Sequence, residues 1–204
     1  MDTDKPQIKE ITMQQARRLV QWYHYLGGKG FRCSVAYGLY QYGEIVGAIV
    51  FHSVSAPETV VGAFGLARND QSGIFEIGRL VLHPKMNGEN YGSYLISNAI
   101  KLLRKKTNVR AIITYADSQY HVRAVYQASN FKYYGLTDEK RDFYVNGKIR
   151  ERGAINQYWF GEVERAHGEW KPRPRKHRYA MVFDKSLGMK WQEMKYPKRT
   201  QEYA

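Results

Sequence analysis

The chain has 204 residues, of which 43% are apolar and 14% aromatic, and its 32 Lys and Arg outweigh 19 Asp and Glu to give a net charge of +13. That composition excludes a disordered chain and suits one domain over residues 1–204 with its own core, while no apolar run approaches the roughly 20 residues of a membrane span. A single cysteine, Cys33, excludes an internal disulfide and a cysteine-based zinc site. The cation excess points to a polyanion, and nucleic acid comes ahead of membrane because no basic helix carries an opposed Leu/Phe face. The first residues, Met1-Asp-Thr-Asp-Lys5, lack a signal-peptide pattern, so a cytoplasmic location is expected.

In chain order, residues 1–11 read as a flexible or edge segment. Thr12-x-x-Gln15 has the form of a capping box, and Met13, Ala16, Leu19, Val20 and Tyr23 follow at helical spacing, which predicts a helix over about 12–25. Gly27-Gly-Lys29-Gly30 ends it. Without Walker spacing this loop reads as a glycine turn rather than a phosphate cradle. Strands are expected at 35–40 and 45–51, joined by a hairpin turn at Gln41-Tyr-Gly43-Glu44. Residues 53–73 are rich in turn formers and read as a long loop over the site.

Residues 74–131 organise the rest. Ile74–Leu82 is an apolar strand, His83–Asn90 a polar loop, Tyr91 to about Lys106 a helix with Arg104, Lys105 and Lys106 in its last turn, and Val109–Tyr115 a second strand. Strand, helix and strand in this order make a βαβ unit with parallel strands. The fold class is therefore α/β (α+β), a mixed sheet with antiparallel N-terminal strands and a parallel βαβ core flanked by helices. Asp117 and Ser118 stand at the carboxyl end of a strand, where open α/β sheets place ligands. Arg79 alternates with apolar neighbours and is expected to share a face with Ile77 and Val81. Burial demands an anionic partner for it, either an internal acid such as Glu76 or Asp117, or a donor carboxylate or phosphate. A strand at Lys132–Gly135, a tight hairpin at Asn146-Gly147 and a last strand at Tyr179–Phe183 follow. The basic segment, about 165–204, contains Lys171-Pro-Arg173-Pro-Arg175-Lys176-His177-Arg178, and Trp170 and Tyr158-Trp-Phe160 are aromatics amid charge. Cations beside aromatics suit phosphate contact with base stacking, so Arg173, Arg175, Lys176, His177 and Arg178 are candidate nucleic-acid contacts. The tail from Asp184 is expected to be peripheral.

The segment 74–131 resembles motifs A and B of the GCN5-related N-acetyltransferase (GNAT) fold, in which a strand bulge and a helix N-terminus hold the donor. The usual glycine loop would align with Asn87-Gly-Glu-Asn90-Tyr-Gly92 and keeps only its last glycine, which argues against ordinary coenzyme A binding. Glu76-x-x-Arg79-Leu, Asn90-x-x-Ser93, Tyr115-Ala-Asp117, His121 and Tyr126-Gln-Ala-x-Asn130-Phe, with His24-Tyr25 and Arg175-Lys-His-Arg-Tyr179, resemble the Mom family, the adenine-modifying proteins of Mu-like phages.

The resemblance implies an anti-restriction enzyme that places a carbamoylmethyl, glycinamide-like group on adenine N6 of double-stranded DNA. It supplies positions, to which chemistry assigns roles: Asp117 orients or deprotonates the amine, Tyr126 protonates a leaving group, and His24, Tyr25 and His121 complete the pocket wall. Arg79, Asn90, Ser93 and Ser118 hold the donor, which is an aminoacyl-tRNA such as glycyl-tRNA, or an acyl-CoA. His24 and Asp117 are candidate metal ligands, for which the resemblance admits iron; the charge of +13 fits DNA alone or DNA with tRNA as a second partner, and a dimer is compatible with the sequence. Two other functions fit the same residues: an ordinary acyl-CoA N-acetyltransferase acting on a protein or small amine, and a non-catalytic basic DNA-binding module.

Overall fold

The computed structural model describes residues 5–86, 90–118, 124–152 and 167–197. His121 and Tyr158-Trp-Phe160 lie outside them. A seven-stranded sheet has the order β1-β2-β3-β4-β5-β10-β6, and a separate three-stranded sheet has the order β8-β7-β9. The strands are β1 (Gln7–Ile11), β2 (Val35–Gln41), β3 (Glu44–Ser53), β4 (Ile74–Leu82), β5 (Ala111–Asp117), β6 (Lys132–Leu136), β7 (Lys140–Val145), β8 (Lys148–Arg152), β9 (Gly168–Arg173) and β10 (Lys176–Val182). The helices are α1 (Met13–Tyr23), α2 (Pro57–Phe64), α3 (Tyr91–Lys106) and α4 (Ala124–Ala128). Pairing is antiparallel except between β4 and β5, which run parallel on either side of α3. Among the described residues no helix is long and apolar enough to cross a membrane.

Local chemistry sets these boundaries. Thr12 and Gln15 exchange side-chain and backbone hydrogen bonds at the start of α1, the reciprocal capping box. The two hairpins turn through Tyr42-Gly43 and Asn146-Gly147, all four residues at positive φ, the backbone that two-residue turns between right-twisted strands require. The apolar faces then sort the layers. On β2 and β3, Tyr37, Leu39, Ile49 and Phe51 pack with Leu95, Ile96, Ala99 and Leu103 of α3. The alternate residues Ala36, Ala48 and Val50 pack with Ala16, Leu19 and Val20 of α1. Side chains alternate along a strand, so α1 and α3 cover opposite faces of the sheet.

Three expectations fail. Residues 53–73 are not a plain loop: α2 starts with Pro57 in its first turn, buries Val60, Ala63 and Phe64, and ends at Gly65 with φ 71°. The tail is not peripheral. The Lys190 amide donates to the Ala63 carbonyl at 2.7 Å, the Tyr196 hydroxyl donates to the Phe131 carbonyl at 2.8 Å, and Leu187 is buried with α2. Finally, Arg79 does not share a face with Ile77. Val50 pairs with Arg79 while Phe51 pairs with Ile77, so Gly78 is the extra residue of a bulge. Ile77 consequently packs on the α3 side, whereas Val81 packs with α1. The bulge reverses the alternation and turns Arg79 to the α1 face.

Candidate active site

β4 and β5 pair only from Ile74–Ala111 to Ile77–Thr114, and the bulge follows at once on β4. Beyond it a cleft of about 90 Å3 opens between the strands. β4 lines it with Glu76 through Leu80, and β5 with Tyr115, Ala116 and Asp117. The end of α1 adds His24, Tyr25 and Leu26, α4 adds Tyr126, and β10 adds Lys176. Gly78 is needed where it stands: a Cβ there would lie 2.1 Å from Nε2 of the buried His52. The ring of His52 thus fills the space beside the bulge, and its Nδ1 is 2.6 Å from the Ser53 carbonyl.

Of the residues singled out in the sequence, His24, Tyr25, Arg79, Asp117 and Tyr126 meet at this one cleft, although they come from four separate elements. His24 caps α1, accepts a hydrogen bond from the Leu26 amide on Nδ1 at 3.1 Å, and stacks on Tyr25 at 4.5 Å between centroids. Asp117 is the last residue of β5 and sits directly across from Lys176 in the β5–β10 register. Tyr126 is 5% exposed and packs against Phe131 and Tyr179, so it forms the floor of the cleft rather than its rim.

Arg79 takes an unexpected partner set. Its guanidinium donates to the carbonyls of Gly78 and Lys29, both at 2.7 Å, and among the described residues it forms no ion pair. Burial lowers its pKa, with Tyr25 and Glu76 acting in the opposite direction. Charge-assisted bonds to carbonyls replace the expected internal carboxylate. Glu76 is occupied elsewhere and accepts from the Ser55 amide at 2.9 Å. The Nε of Arg79 is buried with no hydrogen-bond partner among the described residues, so one polar atom of the guanidinium is left unsatisfied inside the fold. Burial also pushes up the pKa of the Tyr115 hydroxyl. Sequence reasoning did not place Tyr115, Gly78 or Leu26 in the site, nor Lys176 in its wall. The Lys176 position depends on a strand pairing that spans about sixty residues, which no local pattern reveals.

Of the donor residues only Arg79 lines this cleft; Asn90, Ser93 and Ser118 do not. Asn90 is the exposed N-cap of α3 and makes no side-chain capping bond, while the Ser93 hydroxyl donates to the Asn90 carbonyl at 3.0 Å. A Cβ at Gly92 would lie 2.8 Å from Cγ2 of Val125, so the remaining glycine of the loop serves the packing of α3 on α4. Ser118 uses its amide to hold the Arg175 carbonyl at 3.1 Å. Among the described residues no three His, Cys, Asp or Glu side chains converge to hold a metal, so His24 and Asp117 do not make an iron site by themselves.

The basic run is largely committed to internal contacts. Arg173 is ion-paired with the buried Asp142, and Nε of Arg175 donates to the Thr137 carbonyl at 2.6 Å. His177 is buried, with Nδ1 2.9 Å from the Tyr133 hydroxyl, and burial lowers its pKa. Arg178 lies over the Trp191 ring at 4.9 Å. Lys176 is the exposed member. His177 is thus a core residue and not a surface contact.

The fold is that of GNAT acetyltransferases. It matches an IAA acetyltransferase from Bacillus cereus ATCC 14579 at 14% identity over 88% of this chain and 100% of that one, with a TM-score of 0.51. A GNAT-family acetyltransferase from Streptococcus pneumoniae matches at 13% identity, 88% and 100% coverage and TM-score 0.53. One from Elizabethkingia anophelis, with acetyl-CoA bound, matches at 14% identity, 88% and 99% coverage and TM-score 0.52. No curated protein matches the chain. The model of the Mom protein family matches residues 5–198, and the chain belongs to that family.

Proposed function

We propose that this protein is an acyltransferase-like enzyme that modifies the N6 amine of adenine in DNA. The observation that carries the reading is the meeting of His24, Tyr25, Arg79, Asp117 and Tyr126 at one cleft between diverging strands. Membership of the Mom family and the charge of +13 support it. Adenine N6 is a weak nucleophile because its lone pair is delocalised into the ring, so the base must leave the duplex and enter a pocket. Asp117 accepts the hydrogen bond, and then the proton, of the attacking amine. Arg79, in the wall of the cleft, sets its positive charge beside the charge that develops on the donor, and Tyr126, on the floor, supplies the proton to the leaving group.

The donor is an activated acyl group, carried either by coenzyme A, as in the Elizabethkingia anophelis neighbour, or by tRNA. The loop sequence, which keeps only Gly92 at the usual glycine positions and has Asn90 in place of another, supports tRNA, because a side chain there resists pyrophosphate approach. A glycyl group on N6 and a carbamoylmethyl group are isomers, so fragmentation rather than mass distinguishes them.

The test is mass spectrometry of nucleosides from DNA of a host expressing the protein, beside the Asp117→Ala variant. A modified deoxyadenosine that disappears in the variant supports the reading. Unmodified deoxyadenosine from well-folded wild-type protein overturns it in favour of an ordinary acyl-CoA N-acetyltransferase. A variant that keeps DNA affinity with no wild-type modification points to a binding module.

A further inference from the structure

The cations that the basic run 173–178 keeps for internal contacts have a counterpart on the other side of the cleft. From Ile11 to Gly43 the sequence holds Arg17, Arg18, Lys29 and Arg32 and no Asp or Glu. All four cations are exposed. Among the described residues none of the four forms an ion pair, unlike Arg173 on Asp142 or Arg175 near Glu139.

The same stretch exposes aromatic surface. Trp22 is 64% exposed and Tyr25 45%, and the neighbouring Leu26 is 38% exposed. Scattered apolar side chains on a surface need no explanation, but three exposed within five residues, two of them lining a cleft, do. Tyr25 and Leu26 line the cleft, and Trp22 lies one turn earlier on α1. Arg18 stands over the Trp22 ring at 5.9 Å and Arg17 over Phe31 at 5.3 Å, so cation and ring alternate across the surface. Arg79 fixes this ground to the sheet through the Lys29 carbonyl.

Resting on the function proposed above, we infer that the end of α1 and the loop to residue 32 form the DNA-docking rim of the active site. Arg17, Arg18, Lys29 and Arg32 take the phosphates on either side of the target adenine. Trp22 and Tyr25 supply faces on which the extruded base or its orphaned neighbour stacks as it enters the cleft. An acid-free, cationic surface with ring faces is complementary to a strand that is charged on its backbone and apolar on its unstacked bases.

The experiment measures binding of the full-length protein to two fluorescent duplexes by anisotropy. One is fully paired, and the other sets the target adenine opposite an abasic site, which removes the cost of unpairing. The variants are Trp22→Ala, Trp22→Phe and the double reversal Arg17→Glu/Arg18→Glu, all at exposed positions, with tRNA as a separate ligand. Trp22→Ala is expected to weaken binding of the abasic duplex about tenfold, the loss of one base stack, and Trp22→Phe to restore most of it. The double reversal is expected to weaken both duplexes and flatten the dependence of log affinity on log salt by about two units, roughly 0.9 per phosphate contact. Unchanged affinities and slope in a protein that binds DNA overturn the rim while leaving the DNA-modifying reading intact. Variants that lose tRNA and keep DNA also overturn it, because the surface then belongs to the donor. A wild-type protein that binds neither duplex overturns the inference together with the reading on which it rests.

Discussion

Two stretches of this protein are rich in cations, and the structure uses them in opposite ways. In residues 173–178 the charges meet partners: Arg173 a buried carboxylate, Arg175 a carbonyl, Arg178 an indole ring, and His177 a buried hydroxyl. In residues 17–32 they face outward, with rings for neighbours and no acid in the sequence around them. In sequence the first stretch is the denser and the more suggestive of nucleic acid. Charge density along a chain therefore says little about charge at a surface, because strand pairing decides which side chains find partners. The 173–178 run crosses from the small sheet to the large one, and both junctions consume its guanidinium groups. The α1 stretch buries its apolar face, Ala16, Leu19 and Val20, and leaves Arg17 and Arg18 exposed and, among the described residues, without an ion pair.

The contrast is broken most forcefully at Asp142. Replacing it with Asn leaves Arg173 without its buried counter-ion and should lower stability by about 3 kcal/mol in urea unfolding. A loss near zero would mean that Arg173 is as free as Arg17. Next in size is Arg79→Met, which removes two charge-assisted bonds to carbonyls and should cost about 1–3 kcal/mol. Hydrogen exchange should then quicken at the amides of 27–30, because the latch on Lys29 is gone.

The third effect is pH-dependent. Burial holds the pKa of His177 below its ordinary value of 6.5. The unfolded chain therefore binds more protons than the folded one between the two values, and stability rises with pH across that window. The contribution is complete above pH 6.5 and declines as pH falls towards the folded pKa, with a slope of at most about 1.4 kcal/mol per pH unit for one proton. His177→Phe should flatten that segment of the stability curve. The smallest effect sharpens the other side: Arg17→Gln and Arg18→Gln should each change stability by less than about 1 kcal/mol, the size of an exposed contact between a cation and a ring.

Legibility followed the range of the interaction that set each feature. The Thr12/Gln15 cap and the two hairpin turns were readable because neighbours within a few residues define them, and the unit β4-α3-β5 because strand, helix and strand follow one another directly along the chain. The five cleft residues were readable through family resemblance, although periodicity alone had not joined them. α2 was missed because Ser53, Ser55, Pro57 and the Asn69–Gly73 stretch speak for turns, while Val60, Ala63 and Phe64 gain their stability from β4, β5 and the tail. The face of Arg79 was misread because one bulged glycine reverses a period-two pattern, and nothing in the alternation itself marks Gly78 as extra. Its partners, the Gly78 and Lys29 carbonyls, are backbone groups that no side-chain pattern announces.

The placement of β10 between β5 and β6 bears on how the chain is made. β5 and β6 are translated well before β10, yet neither can reach its final neighbour until residues 176–182 have left the ribosome. Throughout that interval β5 presents an open edge lined by Ile112, Ile113 and Thr114, the kind of edge that recruits strands from other chains. A nascent chain halted before residue 176 would thus hold most of its core and still be an aggregation hazard, so safe synthesis depends on how quickly the last strand arrives.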